Sequence, residues 1–419
     1  MKSASVSAIE WKPATPLEVC ELLKDNFQGG RQPVRIVGGG TSWAASEFPE
    51  IAPVILRTSG LQNVIDYPAR DMTITVEAGL TLSALQEILQ KEHQQLPIDV
   101  PQADQATVGG AIASNASGPG RFGYGTFRDY LLGVSAVDGQ GRLFSAGGRV
   151  VKNVAGYDLC KLMIGSQGSL GVITQVTLKL VPVPSRRGFL VFGFPDSAAL
   201  ESALQILNLS ATQPAVQDVL NAAAGHALNQ KFSLDLPEAP CLLCLGYAGT
   251  AEEVAWQFET AVSELHPASS GPLRKFEAEA ADVLWKSLTE FQTSQDQTVT
   301  LRASILPSQV HRLMDDWSSQ GIAVQGHAGN GILIGHASEQ SFFSDRKTRA
   351  EFFSGTTAGE NASLVVASSS GAILTSVHSG SSAGPTDEFQ QQLKTTFDPA
   401  GMFSPLATLS ARALSSRTA

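Results

Sequence analysis

Two hydrophobic periods take turns along the first 180 or so residues. Leu17, Cys20, Leu23 and Phe27 recur at helical spacing and predict a helix over 16–26. Short apolar runs at 34–37 and 54–56, and the β-branched run at 72–76, predict strands. The first of these breaks at Gly38-Gly39-Gly40. After a turn at Gly79, Thr81 is placed to cap a helix over 82–93, with Leu82, Leu85, Ile88 and Leu89 on one face. The small residues of 107–115 predict a helix start that lets other backbone come close. Residues 134–144 read as a hairpin turning at Asp138-Gly139. A short helix over 159–164 and a long alternating strand over 171–180 follow. Val181-Pro182-Val183-Pro184 then ends regular structure.

Beyond that point the pattern is α+β. Strands are predicted at 189–194, 241–247, 298–305, 321–326 and 331–334, and helices at 197–207, 251–265 and 307–317. This sequence of elements suits an antiparallel sheet with helices on one face. The Ser/Thr/Gly-rich stretch 354–382 is expected to be less regular. At 419 residues the chain exceeds what one core holds. The expected domains are 1–184, a smaller one over 185–390, and a C-terminal segment, 391–419, returning to the first.

Composition narrows the classes. Hydrophobic residues make up 43% and charged residues 16%, as in a globular chain with large buried sheets. The net charge of −10, with no basic face, argues against nucleic acid and anionic lipid as partners. No apolar stretch is long enough for a membrane span, and residues 1–11 lack a signal peptide's apolar core, so a cytoplasmic location is expected. The cysteines are Cys20, Cys160, Cys241 and Cys244. Cys241 and Cys244 have CxxC spacing but lie in an apolar strand-like run. There i and i+3 face opposite ways, so buried structural thiols are expected.

Three glycine-rich loops remain to be explained. They are Gly38-Gly39-Gly40-Thr41-Ser42 after a strand, Thr107-Val108-Gly109-Gly110 leading to Ser114-Asn115 and Gly118, and Gly165-Ser166-Gln167-Gly168 before a strand. Each alone reads as a turn or a tight packing contact. Amide groups curled by glycines, or exposed at a helix N-terminus, also bind anions. None has the strand–GxGxxG–helix pattern of a nicotinamide fold, nor the P-loop. A long cofactor with a pyrophosphate and a ring system, held by several loops, suits all three. A side chain at Gly39 would then intrude on the phosphate.

These loops resemble the vanillyl-alcohol-oxidase-type (PCMH-type) FAD-binding domain. The run Gly148-Arg149-Val150-Val151-Lys152-Asn153-Val154-Ala155-Gly156-Tyr157-Asp158-Leu159-Cys160-Lys161 is more specific. It resembles the 2-hydroxy-acid oxidase branch, and within it the FAD-binding E subunits of bacterial glycolate oxidases. The ending Leu393-Lys394-Thr395-Thr396-Phe397-Asp398-Pro399 is similar to that family's C-terminal signature. The resemblance implies a two-part FAD-binding domain followed by an α+β cap. It implies pyrophosphate contacts from Gly38, Gly39, Gly40, Thr41 and Ser42, with Thr107, Gly109, Gly110, Ser114, Asn115, Gly118 and Gly168 lining the cofactor. Tyr124, Gly125, Asp158 and Lys161 would lie toward the isoalloxazine, and Val172 and Ile173 beside adenosine or ring. Asp158 and Lys161 have a second reading, a solvent-facing i, i+3 pair. Val37 precedes the glycines, and no histidine or cysteine lies between Val100 and Leu159, so the FAD is expected to be non-covalent.

For oxidation of a 2-hydroxy acid, Arg302 is the candidate carboxylate anchor and His327 the second candidate catalytic residue. The resembled relatives often bind a metal through His-Ala-Gly-Asp-Gly-Asn-x-His and a later Glu-His-Gly. Here the first motif reads His327-Ala328-Gly329-Asn330-Gly331-Ile332-Leu333-Ile334, and the later one only Val377-His378-Ser379-Gly380. No metal site is expected, and a structural role for His327 is the stronger alternative. The resemblance implies a complex with a sister FAD subunit that keeps the metal motif and an iron–sulfur subunit. Glycolate would be the substrate, and any peripheral attachment to the inner membrane would come through partners. A stand-alone 2-hydroxy-acid dehydrogenase and a flavin-holding scaffold are the alternatives.

Overall fold

The computed structural model describes residues 9–42, 54–148, 158–265, 271–293, 298–338, 362–367, 373–378 and 385–405. The motif positions 149–157 lie outside the described residues, as does the side chain of His378. The chain divides into two compact units. One comprises Met1–Ala116, Thr126–Val183 and Ser382–Ala419, the other Ser117–Gly125 and Pro184–Ser381.

The first unit has two main sheets. In the smaller, Val54–Arg57 pairs in parallel with Glu10–Trp11 on one side and Val34–Val37 on the other. The helix Pro16–Gln28, capped by Thr15 with proline in its first turn, packs Val19 and Leu23 against Val34 and Leu56. It runs two residues beyond the expected end. The larger sheet is antiparallel, in the order Val64–Asp66, Thr73–Glu77, Val172–Lys179, Leu131–Val137, Leu143–Gly147. Thr81 caps the helix Leu82–Gln90, shorter than expected, whose Leu82, Leu85 and Leu89 are buried. The hairpin turn is closed by Asp138 Oδ1, which accepts from the amides of Gln140 and Arg142, while Gly141 takes the positive φ of 76°.

The C-terminal helix Pro385–Phe397 ends in a buried ionic clip. Lys394 Nζ donates to Asp398 Oδ2 at 2.6 Å and to the carbonyls of Ser169, Phe403 and Ser404. Asp398 also accepts from the amides of Met402 and Phe403. Burial pushes the Lys394 ammonium down, while Asp398 acts in the other direction. Phe403 then seals the cluster of Val19, Leu23, Val34 and Leu56.

Among the described residues, the second unit is built on one nine-stranded sheet, antiparallel at every pairing. Helices do not keep to one face of it, contrary to expectation. Ser197–Leu207, Ala251–Leu265 and Val310–Ser319 cover one side, and Ala222–Phe232 and Glu279–Glu290 the other. Strands covered on both faces lose the polar alternation that marks a half-buried sheet. In Arg186–Phe194, Leu190, Phe192 and Phe194 enter one core while Phe189 and Val191 enter the other. Cys241 and Cys244 divide in the same way, and burial pushes the Cys241 thiol up to about 11. The stretch expected to be irregular contributes strands Ser363–Ala367 and Ile373–His378, which extend the sheet.

Lys394→Met leaves Asp398 buried with its ionic partner gone. Breaking such a pair costs about 3–5 kcal/mol. The urea midpoint of the variant is expected to fall accordingly, with an unchanged m-value; a midpoint equal to wild type would remove the clip from the stability of this unit.

Candidate cofactor site

The three loops meet within the first unit. Thr107 caps the helix Val108–Ser114 by accepting from the amide of Gly110 at 3.2 Å. The helix start is tied to 78–80 by backbone bonds, Gly109 N to Ala78 O at 2.8 Å and Val108 N to Leu80 O at 2.9 Å. The third loop docks on the end of the same helix, with Gly165 N donating to Ile112 O at 3.0 Å and Gln167 N to Ala113 O at 2.8 Å. Gly168, at φ 72°, faces Ile36 of the strand that leads into the first loop.

The glycines differ in what they do. A Cβ on Gly38 would lie 2.2 Å from Thr107 Oγ1, one on Gly39 1.8 Å from the Gln105 carbonyl oxygen, and one on Gly109 2.6 Å from Ala78 Cβ. These three let segments pack closely, Gly39 against backbone and Gly38 and Gly109 against the side chains of Thr107 and Ala78, so protein atoms already fill the space that the phosphate reading gave to Gly39. Gly40 is the glycine with positive φ, 71°, and its Cβ position is open except for Val37 Cγ1 at 4.0 Å. Among the described residues, the amides of Gly39, Gly40, Thr41 and Ser42 donate to no acceptor. The loop thus presents consecutive free N–H groups beside an open face. Two buried acceptors nearby, Asn115 Oδ1 and Ser166 Oγ, also lack partners among the described residues. Asn115 is in the left-handed conformation at the helix C-cap. Buried polar atoms are seldom left unpaired without a ligand or water to meet them. Donors, acceptors and an open cradle on converging loops fit a cofactor with a pyrophosphate.

Other expected residues sit differently. Ser114 Oγ donates back to Gly110 O within its helix. Asp158 caps the helix Leu159–Met163 and pairs with Lys161 Nζ at 3.0 Å, both side chains about half exposed. Desolvation acts to raise the Asp158 carboxyl, but the bonds and charge of Lys161 outweigh it and hold it low. This is the solvent-facing pair of the second reading. The side chains of Val172 and Ile173 are buried in the cores of the first unit. Gly118, Tyr124 and Gly125 group with the second unit, where Tyr124 stacks near Trp285, ring centres 6.4 Å apart. Sequence reasoning missed Ser166, whose free hydroxyl no spacing rule marks.

Arg302 and His327 belong to the second unit, on the sheet face that carries Ile332 and Ile334. His327 is 1% exposed, and its Nδ1 lies 2.8 Å from Oδ1 of Asp218, itself fully buried. Gln325 Nε2 donates to the other carboxylate oxygen at 2.6 Å. His327 Nε2, Gln325 Oε1 and Asn330 Oδ1 are buried without partners among the described residues. Arg302 makes no hydrogen bond to another described residue; although part of it reaches solvent, burial followed by the charge of Arg121 lowers it to about 10. His336, two positions beyond the family's second histidine, bonds to the Phe291 carbonyl and is pushed down to about 4 by burial. No three of His, Cys, Asp and Glu among the described residues are grouped to hold a metal.

Comparisons with known proteins bear on the fold and the cofactor. Residues 9–147 match the family model described as an FAD binding domain. Two solved structures share the overall course of the chain. One is alkyldihydroxyacetonephosphate synthase, with a TM-score of 0.67 and 19% identity over 94% of this chain and 75% of that one. The other is 4-ethylphenol oxidase from Gulosibacter chungangensis, with a TM-score of 0.67 and 12% identity over 95% and 88%. The chain carries a PCMH-type FAD-binding fold, and its cofactor is FAD. Among sequence relatives, D-2-hydroxyglutarate dehydrogenase of Xanthomonas citri pv. viticola is 28% identical over 345 residues, 77% of this chain and 73% of that protein. D-lactate dehydrogenase of Archaeoglobus fulgidus is 36% identical over 185 residues, 44% and 41%. Glycolate oxidase subunit GlcE of Escherichia coli is 39% identical over 124 residues, 29% and 35%. The match thus spans less than half of the latter two relatives. No described helix is long and apolar enough to cross a membrane.

Gly39→Val is expected to cost at least ~2 kcal/mol as well as the flavin, because its Cβ meets backbone at 1.8 Å. Gly40→Ala carries only the left-handed strain, about 1–2 kcal/mol, and folds. Flavin absorbance and urea unfolding of the two variants check this, and a Gly39→Val protein as stable as wild type would show that the turn is free to move.

Proposed function

We propose that this protein is an FAD-dependent oxidoreductase acting on the CH–OH of a small 2-hydroxy acid, as the flavin subunit of a complex that converts glycolate to glyoxylate. The observation that carries the reading is the pairing of a PCMH-type FAD fold with a second unit presenting Arg302 and His327 on one sheet face. Relatives named for glycolate, D-lactate and D-2-hydroxyglutarate oxidation support the substrate class. FAD, when bound, would supply a hydride acceptor for the substrate carbon. The chain's own part is to hold the carboxylate, for which a guanidinium fork is suited, and to receive the hydroxyl proton. Arg302 and His327 are assigned these roles.

Asn330 and Ile334 stand where the resembled motif has an acidic residue and a histidine. A chain without that Lewis acid loses several kcal/mol of charge stabilisation. A sister FAD subunit with the intact motif would supply it, and an iron–sulfur subunit would take the electrons. A stand-alone dehydrogenase is the second reading, favoured by the match to D-2-hydroxyglutarate dehydrogenase over 77% of this chain.

One measurement tests the flavin linkage and a second separates the two readings. Acid precipitation is expected to release all flavin into the supernatant, and yellow colour held in the pellet would contradict non-covalent binding. In stopped flow, glycolate is expected to bleach the flavin of the isolated chain at least ~100-fold more slowly than in the reconstituted complex. Rapid bleaching of the chain alone, with chelator present, would favour the stand-alone enzyme.

A further inference from the structure

The second unit holds more polar machinery than its fold needs. Asp218 lies in the strand Val216–Asn221, whose six residues are all buried. Its carboxylate is only an acceptor, so the proton of the 2.8 Å contact sits on His327 Nδ1. In the neutral ring this leaves the Nε2 lone pair bare, and that atom is buried and unpartnered among the described residues. Gln325 fills the second carboxylate oxygen and turns its own Oε1 away, also unpartnered. An unmet buried acceptor is destabilising, and among the described residues there are three within 325–330, counting Asn330 Oδ1. On the same face, Arg302 pairs in register with Ile334, and Ile334 with Gln325, which sets the guanidinium's strand two places from that of His327. Arg121, which reaches Ser117 Oγ at 3.2 Å, adds its charge near Arg302. Unmet acceptors on one side and guanidinium donors on the other call for a ligand with a hydroxyl and a carboxylate.

We propose that Asp218 is a positioning residue that fixes His327 with Nε2 as the acceptor for a ligand hydroxyl, while Arg302 and Arg121 take the same ligand's carboxylate. The inference rests on the 2-hydroxy-acid reading above and sharpens it: the site selects for the hydroxyl, because an analogue without it leaves Nε2 buried and unpaired. A site built to hydrogen-bond a hydroxyl rejects the analogue lacking it by far more than an apolar pocket does. The ring orientation rests on Asp218 alone, and the selection is lost with that carboxylate.

The test uses the FAD-loaded full chain. Calorimetry is run with glycolate and with acetate, which share a charge and differ by the hydroxyl. Glycolate is expected to bind at least ~10-fold tighter. Asp218→Asn is expected to bring the two affinities within about threefold of each other while FAD content stays that of wild type, since a neutral amide no longer dictates the tautomer. Arg302→Gln is expected to weaken both ligands by a similar factor. Nitrogen-15 spectra of histidine-labelled wild type are expected to show one imidazole protonated at Nδ1 alone, whose Nε2 signal moves with glycolate and not with acetate. Equal binding of the two acids by wild type, an Asp218→Asn protein that keeps the tenfold ratio, or a protonated Nε2 on His327 itself in the free protein would overturn the proposal. Should Asp218→Asn fail to fold, the wild-type ratio and spectra still decide. Flavin reduction by glycolate in the complex, with a ratio of one, would remove this site and leave the function; an intact ratio without flavin reduction would do the reverse.

Discussion

The first unit depends on one close approach. The turn at Gly38-Gly39 lies against the segment 105–110 so tightly that a single carbon on Gly39 would sit 1.8 Å from a carbonyl oxygen. That contact joins the parallel sheet, through Val34–Val37, to the helix Val108–Ser114, which is itself bonded to the backbone at 78–80. The loop 165–168 docks on the same helix. With Gly38, Gly39 and Gly109 spent on packing, Gly40 and the residues after it are left to present amides outward. Cofactor binding here follows from how the loops are held, more than from any one loop's composition.

The second unit solves a different problem. A sheet covered on both sides has no solvent face on which to place polar residues. Every polar group in it must find a partner or keep one waiting. His336 finds the Phe291 carbonyl and Thr300, and burial keeps it neutral. Asn221 finds Ser318, Ile322 and the amides of Ala224 and Val324. Asp218, Gln325 and His327 satisfy one another only in part. The contrast between complete and incomplete networks on one sheet is what distinguishes structural histidine from candidate chemistry.

Local sequence by itself determined much of the first unit. The cap at Thr81, the strand at 34–37 and the buried face of Leu82, Leu85 and Leu89 are properties of short windows, because capping and periodicity act within a few residues, whereas the first helix buries Val19 and leaves the expected Leu17 exposed. Helices Ser197–Leu207 and Ala251–Leu265 were legible for the same reason. The strand Val216–Asn221 was not, since Gln217, Asp218 and Asn221 break the apolar run that marks a doubly covered strand. Nor were the strand pairings of 363–367 and 373–378, set in a Ser/Thr/Gly-rich stretch that reads as loop until a neighbouring strand supplies the ladder.

The cofactor class was carried by the glycine loops and their resemblance, yet the reason for each glycine was decided in three dimensions. No sequence window says that Gln105 fills the space over Gly39 while that over Gly40 stays open. Asp158 and Lys161 could be read either as flavin-side residues or as a surface pair, and only the fold makes them a helix cap with an exposed partner. His327 looked like the remnant of a dismantled motif. Its partner Asp218 lies 109 residues earlier in the chain, and a contact at that separation exists only once the two strands pair.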